Sequence, residues 1–213
     1  MTLVYDGAFK VFKVADMGSF NNNGYVLADP ESRECYIVDA PDEVERLLKE
    51  AEPFHIKGCL LTHTHPDHIA GYARLMEAAD VPVAVHPDDE ARLSSPAALR
   101  LSDGETLHIG DTQVRVMHTP GHTPGGVCLV VDGCLISGDT LFPGGPGFTR
   151  NAEDFQQVVQ SITEHLMTLP DDTLVLPGHG ADTTIMEAKR EDAVFASKSH
   201  PDGLQGHVQW LAS

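Results

Sequence analysis

From Thr62 to His68 the chain reads Thr-His-Thr-His-Pro-Asp-His, so three imidazoles and one carboxylate fall within six consecutive residues, His63 to His68. All four groups bind divalent metal ions. Imidazole nitrogen and carboxylate oxygen suit zinc, and also iron or manganese. The apolar run Cys59-Leu60-Leu61 just before them reads as the end of a strand. In extended backbone His63 and His65, two apart, project from the same side. Pro66 fixes one backbone dihedral and turns the chain. Asp67 and His68 then offer ligands from a different direction, toward a second position beside the first. A loop that is merely rich in histidine would need no partners elsewhere in the chain, whereas a metal centre would.

Three further residues qualify as partners. His122 lies in His118-Thr119-Pro120-Gly121-His122-Thr123, a Pro-Gly turn directly after a strand-like run. Asp139 follows Ser137-Gly138, and His179 follows Pro177-Gly178, each again after a strand. Together with the opening cluster, four strand ends deliver metal-binding groups on loops, where functional groups gather above a rigid scaffold. The other histidines read differently. His118 is expected to pack beside the site, and His86, before Pro87, to form a turn or cap. His55, His108, His165, His200 and His207 read as surface or satisfied core residues. Asp39, at a strand end, suits a carboxylate that accepts a proton from a ligand imidazole. One of Asn21 to Asn23 is a candidate for the pocket lining, a simple turn being the alternative. Phe142, Phe148 and Arg150, shortly after Asp139, are candidates for the substrate mouth, with Arg150 read either as a partner for a substrate carboxylate or as an exposed arginine at a helix start.

The elements that must position these groups alternate along the chain. Strands are expected at 8–14, 25–28 and 35–38, the last two joined by the Asp29-Pro30-Glu31-Ser32 turn. Pro41 opens a helix in which Val44, Leu47, Leu48 and Ala51 form one buried face. A strand at 56–61 delivers the cluster, and a helix over 69–79 turns Leu75 and Met76 inward. After a strand at 81–85 and a helix or turn at 87–93, residues 94–102 connect across the molecule. Hairpins follow at 105–109 with 113–118, and at 127–131 with 134–137 about Asp132-Gly133. Residues 142–148, rich in Gly and Pro, read as loop. Asn151 caps a helix carrying Phe155, Val158, Val159, Ile162 and Leu166 on one stripe. A strand at 173–176, a helix at 183–190 and a less patterned tail complete the chain. Strands and helices, then the same again, predict an α+β fold: an αββα sandwich of two β-sheets packed face to face, helices outside, in one domain over residues 1–213.

Composition narrows the partners. Fourteen Lys and Arg stand against 32 Asp and Glu, for a formal net charge of −18. So negative a surface repels phosphate backbones, which argues against nucleic acid and for a small-molecule substrate. No apolar run approaches the ~20 residues of a membrane span, and the N-terminal fourteen residues lack a signal-peptide layout. A cytoplasmic protein with no membrane partner is expected, its oligomeric state left open. Cys35, Cys59, Cys128 and Cys134 lie in apolar contexts without paired ligand spacing, and read as free buried thiols.

The motifs Thr-His-Thr-His-Pro-Asp-His, Thr-Pro-Gly-His-Thr, Ser-Gly-Asp-Thr-Leu-Phe and Pro-Gly-His-Gly, in this order over nearly the whole chain, resemble the metallo-β-lactamase superfamily in its dinuclear form. That resemblance implies that His63, His65 and His122 hold one ion, that Asp67, His68 and His179 hold a second, and that Asp139 bridges both. Zinc is the expected pair of ions, with iron and manganese the alternatives. Two such ions share a water and lower its pKa toward neutrality. The resulting hydroxide attacks an activated carbonyl, with Asp67 as the catalytic residue that orients it or takes its proton. Asp139 occupies the place where common zinc β-lactamases carry cysteine, which turns the expectation away from antibiotics. The pattern is most similar to glyoxalase II, hydroxyacylglutathione hydrolase, and implies a thioester or small-ester hydrolase. The helical extension of that enzyme, which contacts glutathione, is not matched here. The alternatives are a mononuclear iron enzyme resembling persulfide dioxygenases, or a lactonase. Lactonases commonly place a tyrosine near the metals, and the tyrosines here (Tyr5, Tyr25, Tyr36 and Tyr72) all lie in the N-terminal half.

Overall fold

The computed structural model describes residues 2–212; the ends of the expected domain, Met1 and Ser213, lie outside them. The first sheet contains β1 (Thr2–Asp6), β2 (Lys10–Met17), β3 (Asn22–Asp29), β4 (Glu34–Val38), β5 (His55–Leu60), β6 (Val83–Val85) and β7 (Leu99–Arg100), in that spatial order. Its first four strands form an antiparallel meander, and the rest run parallel. The second sheet opens with β8 (Thr106–Ile109), β9 (Thr112–His118), β10 (Val127–Val131) and β11 (Cys134–Gly138). A small separate hairpin of β12 (Leu141–Phe142) and β13 (Gly145–Pro146) follows, and then β14 (Leu174–Pro177) and β15 (Thr183–Thr184) complete the second sheet in the order β15-β14-β11-β10-β9-β8. The helices are α1 (Glu45–Ala51), α2 (Tyr72–Ala78), α3 (Ala152–Glu164) and α4 (Ile185–Ala196).

Strand alternation divides the apolar residues into three layers. On β10, Val127, Leu129 and Val131 face the first sheet, where they meet Tyr25, Leu27, Val38 and Leu60. Cys128, between them, faces outward with Leu135 and Val175 onto Phe155, Val158 and Ile162 of α3 and Ile185 of α4. On the far side Cys35 and Ile37 of β4 pack against Leu47 of α1 and Leu75 of α2. One apolar layer between the sheets and one under each pair of helices make the αββα sandwich read from the sequence. Each sheet buries both faces and needs helices to cover the outer one. All four cysteines are buried and unpaired. Burial pushes the Cys35 and Cys134 thiols up to about 12 and Cys128 to about 11, so they stay protonated and inert.

Several local expectations are corrected. β1 adds an edge strand before the first one expected. The helix after Pro41 starts only at Glu45, because Glu43 sits at φ 61°, in the left-handed region, and breaks the helical path. Met76 does not face inward; α2 exposes it while burying Tyr72 and Leu75. The Gly/Pro-rich stretch after Asp139 contains the β12–β13 hairpin. The tail is anchored too: Val208 and Trp210 are buried against α3 and α4, and Trp210 donates its backbone N–H to Gly144. None of the helices described is long and apolar enough to cross a membrane.

Candidate metal centre

Four strands end at one rim of the sandwich, and the two sheets are stitched together there. β4, β5 and β6 are parallel, as are β11 and β14, and β9 runs with β11 through its antiparallel neighbour β10. The Thr62 carbonyl, just past β5, accepts from Val127 of β10. Gly178, past β14, donates to Gly138 of β11, and its own carbonyl accepts from Asn23 of β3. The side chains of Asn23 and Tyr25 also donate to the Pro177 carbonyl, at 2.9 and 2.6 Å. The His179 loop of one sheet is therefore held by strands of the other. Gly178 has a steric reason: a Cβ there would collide with the Asp139 carboxylate and the His68 ring. Gly138, at φ 48°, lies so near Thr62 that a Cβ would come within 2.7 Å of its side chain.

All seven residues read from the sequence meet at this rim. Ligand atoms of His63, His65 and His122 lie within 4.8 Å of one another, as do those of Asp67, His68 and His179; His63, His68 and Asp139 form a third such group between them. His65 Nδ1 faces His122 Nε2 at 2.8 Å. His179 Nε2 lies 3.3 Å from both His68 Nε2 and Asp67 Oδ2. Asp139 joins the halves: its Oδ2 is 3.5 Å from His122 Nε2 and 3.5 Å from His179 Nε2. Buried His63 Nε2 has no hydrogen-bond partner, and Asp139 Oδ1 faces only the His68 imidazole, at 3.3 Å. Orphaned polar atoms are costly in a protein interior, and an imidazole nitrogen left so among other ligand atoms fits a bound cation. The cluster implies divalent metal binding.

The electrostatics of the two halves differ. Burial holds His63 well below the ordinary imidazole range and His65 at about 4, reinforced by neighbouring imidazoles. Burial lowers His122 as well, against the pull of Asp139. Burial also opposes the charged form of His68, but Asp139 and Asp39 outweigh it and hold this imidazole well above its usual value. His179 behaves likewise, raised to about 9 by hydrogen bonds to Asp139 and Asp67. The carboxylates answer in kind. Despite burial, Asp67 is held low by His179 and His68, and Asp139 well below its usual range by His68 and His179. Protons on His68 and His179 thus occupy the role of a cation in that half.

Supporting contacts complete the shell. Asp39, expected to receive an imidazole proton, lies with Oδ2 2.9 Å from His68 Nδ1 and also accepts from the Thr62 backbone N–H at 2.7 Å. Two further residues support the ligands: Asn22, one of the three asparagines read as candidates for the pocket lining, and Asp89, which sequence reading misses. Asn22 donates Nδ2 to Asp67 Oδ2 at 2.8 Å, fixing that carboxylate. Asp89, fully buried, accepts from Thr64 N, between His63 and His65, and from Gly125 N, near His122. It ties two ligand loops together, yet lies in a Pro-Asp-Asp-Glu run that looks like an exposed turn. Asn22 carries a weak signal, as one of three asparagines before a strand. His86 accepts from Asp88 N, the cap expected of it, and His118 stacks on its ring at 4.0 Å.

A cleft of about 540 Å³ opens beside Asp139 and His179, walled by Phe142, Pro146, Phe148, Ala181 and His207. Phe142 and Phe148 therefore stand at the mouth, as read from the sequence. His207, read as a surface residue, is exposed but forms part of this wall, its ring 5.0 Å from that of Phe148. Arg150 does not line this cleft; its Nη2 lies 3.4 Å from His65 Nε2.

Fold and centre together define a class. Residues 18–179 match the family model of the metallo-beta-lactamase superfamily, and the chain belongs to that superfamily. It is 29% identical over 210 residues to hydroxyacylglutathione hydrolase GloC of Haemophilus influenzae, covering 88% of this chain and 99% of that protein. Among solved structures it is similar to ETHE1 from Myxococcus xanthus (TM-score 0.76, 29% identity, 88% of this chain and 86% of that one). It is also similar to TTHA1623 in a di-iron-bound form (TM-score 0.72, 32% identity, 84% of this chain and 97% of that one).

Proposed function

We propose that this chain is a dinuclear metal-dependent hydrolase of small thioesters or esters, of the glyoxalase II-like kind. In this reading His63, His65 and His122 hold one ion, Asp67, His68 and His179 hold a second, and Asp139 serves both. The observation that carries it is the placing of Asp139 Oδ2 at 3.5 Å from an imidazole of each half. A carboxylate so shared is what two neighbouring cations require and one does not. When bound, the ions would supply Lewis-acid chemistry, lowering the pKa of water toward neutrality and polarising a carbonyl. The protein does the rest. Asp67, fixed by Asn22, orients the attacking water and accepts its proton through a carboxylate that stays ionised at neutral pH. Asp39 holds His68 in one ring orientation, with the proton on Nδ1 and Nε2 turned inward. Phe142 and Phe148 wall off one side of the cleft and keep the scissile bond away from bulk water. The similarity to the Haemophilus hydrolase supports the thioester assignment. Zinc is proposed as the native metal; the di-iron form of TTHA1623 is the reason to test iron beside it. The substrate is a small molecule, met in the cytoplasm.

The test loads purified protein with zinc, iron or manganese and measures metal content, thioester hydrolysis, lactone opening and oxygen consumption with glutathione persulfide. The expected result is about two ions per chain and thioester cleavage. One ion per chain with persulfide-dependent oxygen uptake would overturn the reading in favour of a mononuclear iron oxygenase. Lactone opening without thioester cleavage would reassign the substrate.

A further inference from the structure

Beside His65 lies a second cavity, of about 250 Å³, lined by His65, Arg92, Thr123, Arg150, Asp154 and Gln157 and meeting the apolar cleft at His122, which lines both. Two guanidiniums reach it from different elements. Arg150 leads into α3 and brings Nη2 to 3.4 Å from His65 Nε2; Arg92 brings Nη1 to 3.5 Å from the hydroxyl of adjacent Thr64. Their pairing is incomplete. Arg92 has one carboxylate, buried Asp89, at 3.6 Å. Among the described residues, no carboxylate lies within ion-pair distance of Arg150. The acid in the cavity wall, Asp154, is engaged at the start of its own helix: its carboxylate accepts from Asn151 Nδ2, and its backbone N–H donates to Asn151 Oδ1. In a chain with 32 acidic and 14 basic residues, a guanidinium left without an acid beside the reaction centre calls for an anionic partner.

The third donor comes from His65 itself. Its Nδ1 points at His122 Nε2, into the ligand cluster. With Nδ1 given to an ion, the neutral ring carries its proton on Nε2. Nε2–H and the Arg150 guanidinium are then both donors, and cannot satisfy each other. An acceptor between them would satisfy both.

We propose that this cavity is an anion subsite, in which Arg150, assisted by Arg92, receives a carboxylate carried by the substrate, outside the apolar cleft. The inference rests on the hydrolase reading and sharpens it: the substrate is an amphipathic thioester, apolar toward Phe142 and Phe148 and anionic toward Arg150. Guanidinium suits this role because its planar fork meets a carboxylate bidentately, with hydrogen bonds about twice as strong as neutral ones.

Three thioesters test it: S-acetylthioglycolate, with its carboxylate on the thiol side; the S-methyl thioester of succinate, with its carboxylate on the acyl side; and neutral S-acetyl-2-mercaptoethanol. One of the charged pair is expected to exceed the neutral one in kcat/KM by about tenfold or more, through KM. The identity of that one tells which half of the substrate carries the charge. Arg150→Gln should remove this advantage, bringing the favoured charged substrate to the same kcat/KM as the neutral one in that variant, and Arg150→Lys should restore part of it. A binding arm uses no turnover: S-methylthioglycolate, which has no thioester to cleave, is titrated calorimetrically into metal-loaded protein. Wild type should bind it, and Arg150→Gln should bind it at least about tenfold more weakly. Equal rates on charged and neutral thioesters, with calorimetric binding unchanged by Arg150→Gln, would overturn the subsite and leave the hydrolase intact. Failure to cleave any of the three would overturn the hydrolase reading instead, and the binding arm would still decide the subsite.

Discussion

The two halves of the centre hold similar ligands in opposite states. Around His63, His65 and His122 every group is an imidazole, and burial keeps His65 uncharged down to about pH 4. Around Asp67, His68 and His179 a carboxylate joins two imidazoles that hold their protons, His179 up to about pH 9. The first half is preorganised to accept a cation at neutral pH, because nothing has to leave. The second already contains positive charge, in the form of protons that a metal must displace. The difference arises from one placement. Asp39 and Asp139 both lie against His68, so its Nδ1 and Nε2 each face a carboxylate oxygen, at 2.9 and 3.3 Å. Side chains of the same kind thus offer sites with different pH dependence, set by where the sheets deliver their carboxylates.

The largest expected effect comes from removing what the halves share. Asp139→Ala should abolish hydrolysis and weaken metal binding in both halves, beyond the roughly 10–100-fold that loss of a supporting contact costs. Metal analysis after gel filtration checks this. Retention of one tightly bound ion would place Asp139 in one half alone. Next comes the contrast in protons. At pH 7 the first equivalent of metal should release few protons and the second more, read by calorimetry in buffers of different ionisation enthalpy. Affinity of the second half should rise about tenfold per pH unit for each displaced proton, the His179 contribution levelling above about pH 9. Equal release in both steps would erase the distinction. The metal-free protein offers a complementary reading. His179, raised from 6.5 to about 9, contributes stability that is fully present below pH 6.5 and lost as pH climbs through 9. Asp67 and Asp139, lowered from 3.8, contribute stability that is present above that value and lost in acid. Buried His63, His65 and His122, held below 6.5, act the other way, since the unfolded chain protonates them first as pH falls below 6.5. Melting temperature of the metal-free protein should therefore peak near pH 6.5 and fall toward pH 9. Metal should remove that alkaline decline. Smaller again, Asn22→Ala and Asp39→Asn should each cost about 10–100-fold in metal affinity or activity, and both chiefly in the second half. An equal loss in the first half would show that the halves do not act separately.

The same comparison explains what could be read without coordinates. Ligands delivered directly by strand ends are local events: an apolar run, a turn residue, then His or Asp. That grammar exposes His122, Asp139 and His179 as clearly as the His63 to His68 cluster. The sandwich follows from alternation and helical stripes for the same reason. What stays hidden depends on distant segments. Asp89 is a positioning residue only because Thr64 and Gly125 fold onto it from 25 and 36 residues away. Asn22 matters through Asp67, 45 residues on. Trp210 is buried by helices it has no periodic relation to, so its tail looked unpatterned. Met76 errs the other way: a helical period locates a buried face only to within one residue of its edge, and α2 ends that face at Leu75.

The smallest expected effect concerns His207, which sequence reading sets apart from the centre and the structure places on the cleft wall. Its ring touches neither half; its neighbour is Phe148, across 5.0 Å. His207→Ala should thus leave metal content, proton release and the pH profile of the metal-free melting temperature unchanged. What it removes is one face of the apolar wall, and aromatic pairs of this kind are worth about 0.5–1.5 kcal/mol. KM for a substrate with a bulky apolar group should rise by up to about tenfold, with kcat nearly constant, while a substrate with a small acyl group is hardly affected. Steady-state kinetics on a short and a long acyl thioester separate the two cases. A fall in kcat for both would mean that His207 reaches the reacting atoms, and the cleft would then have to close over the centre during turnover.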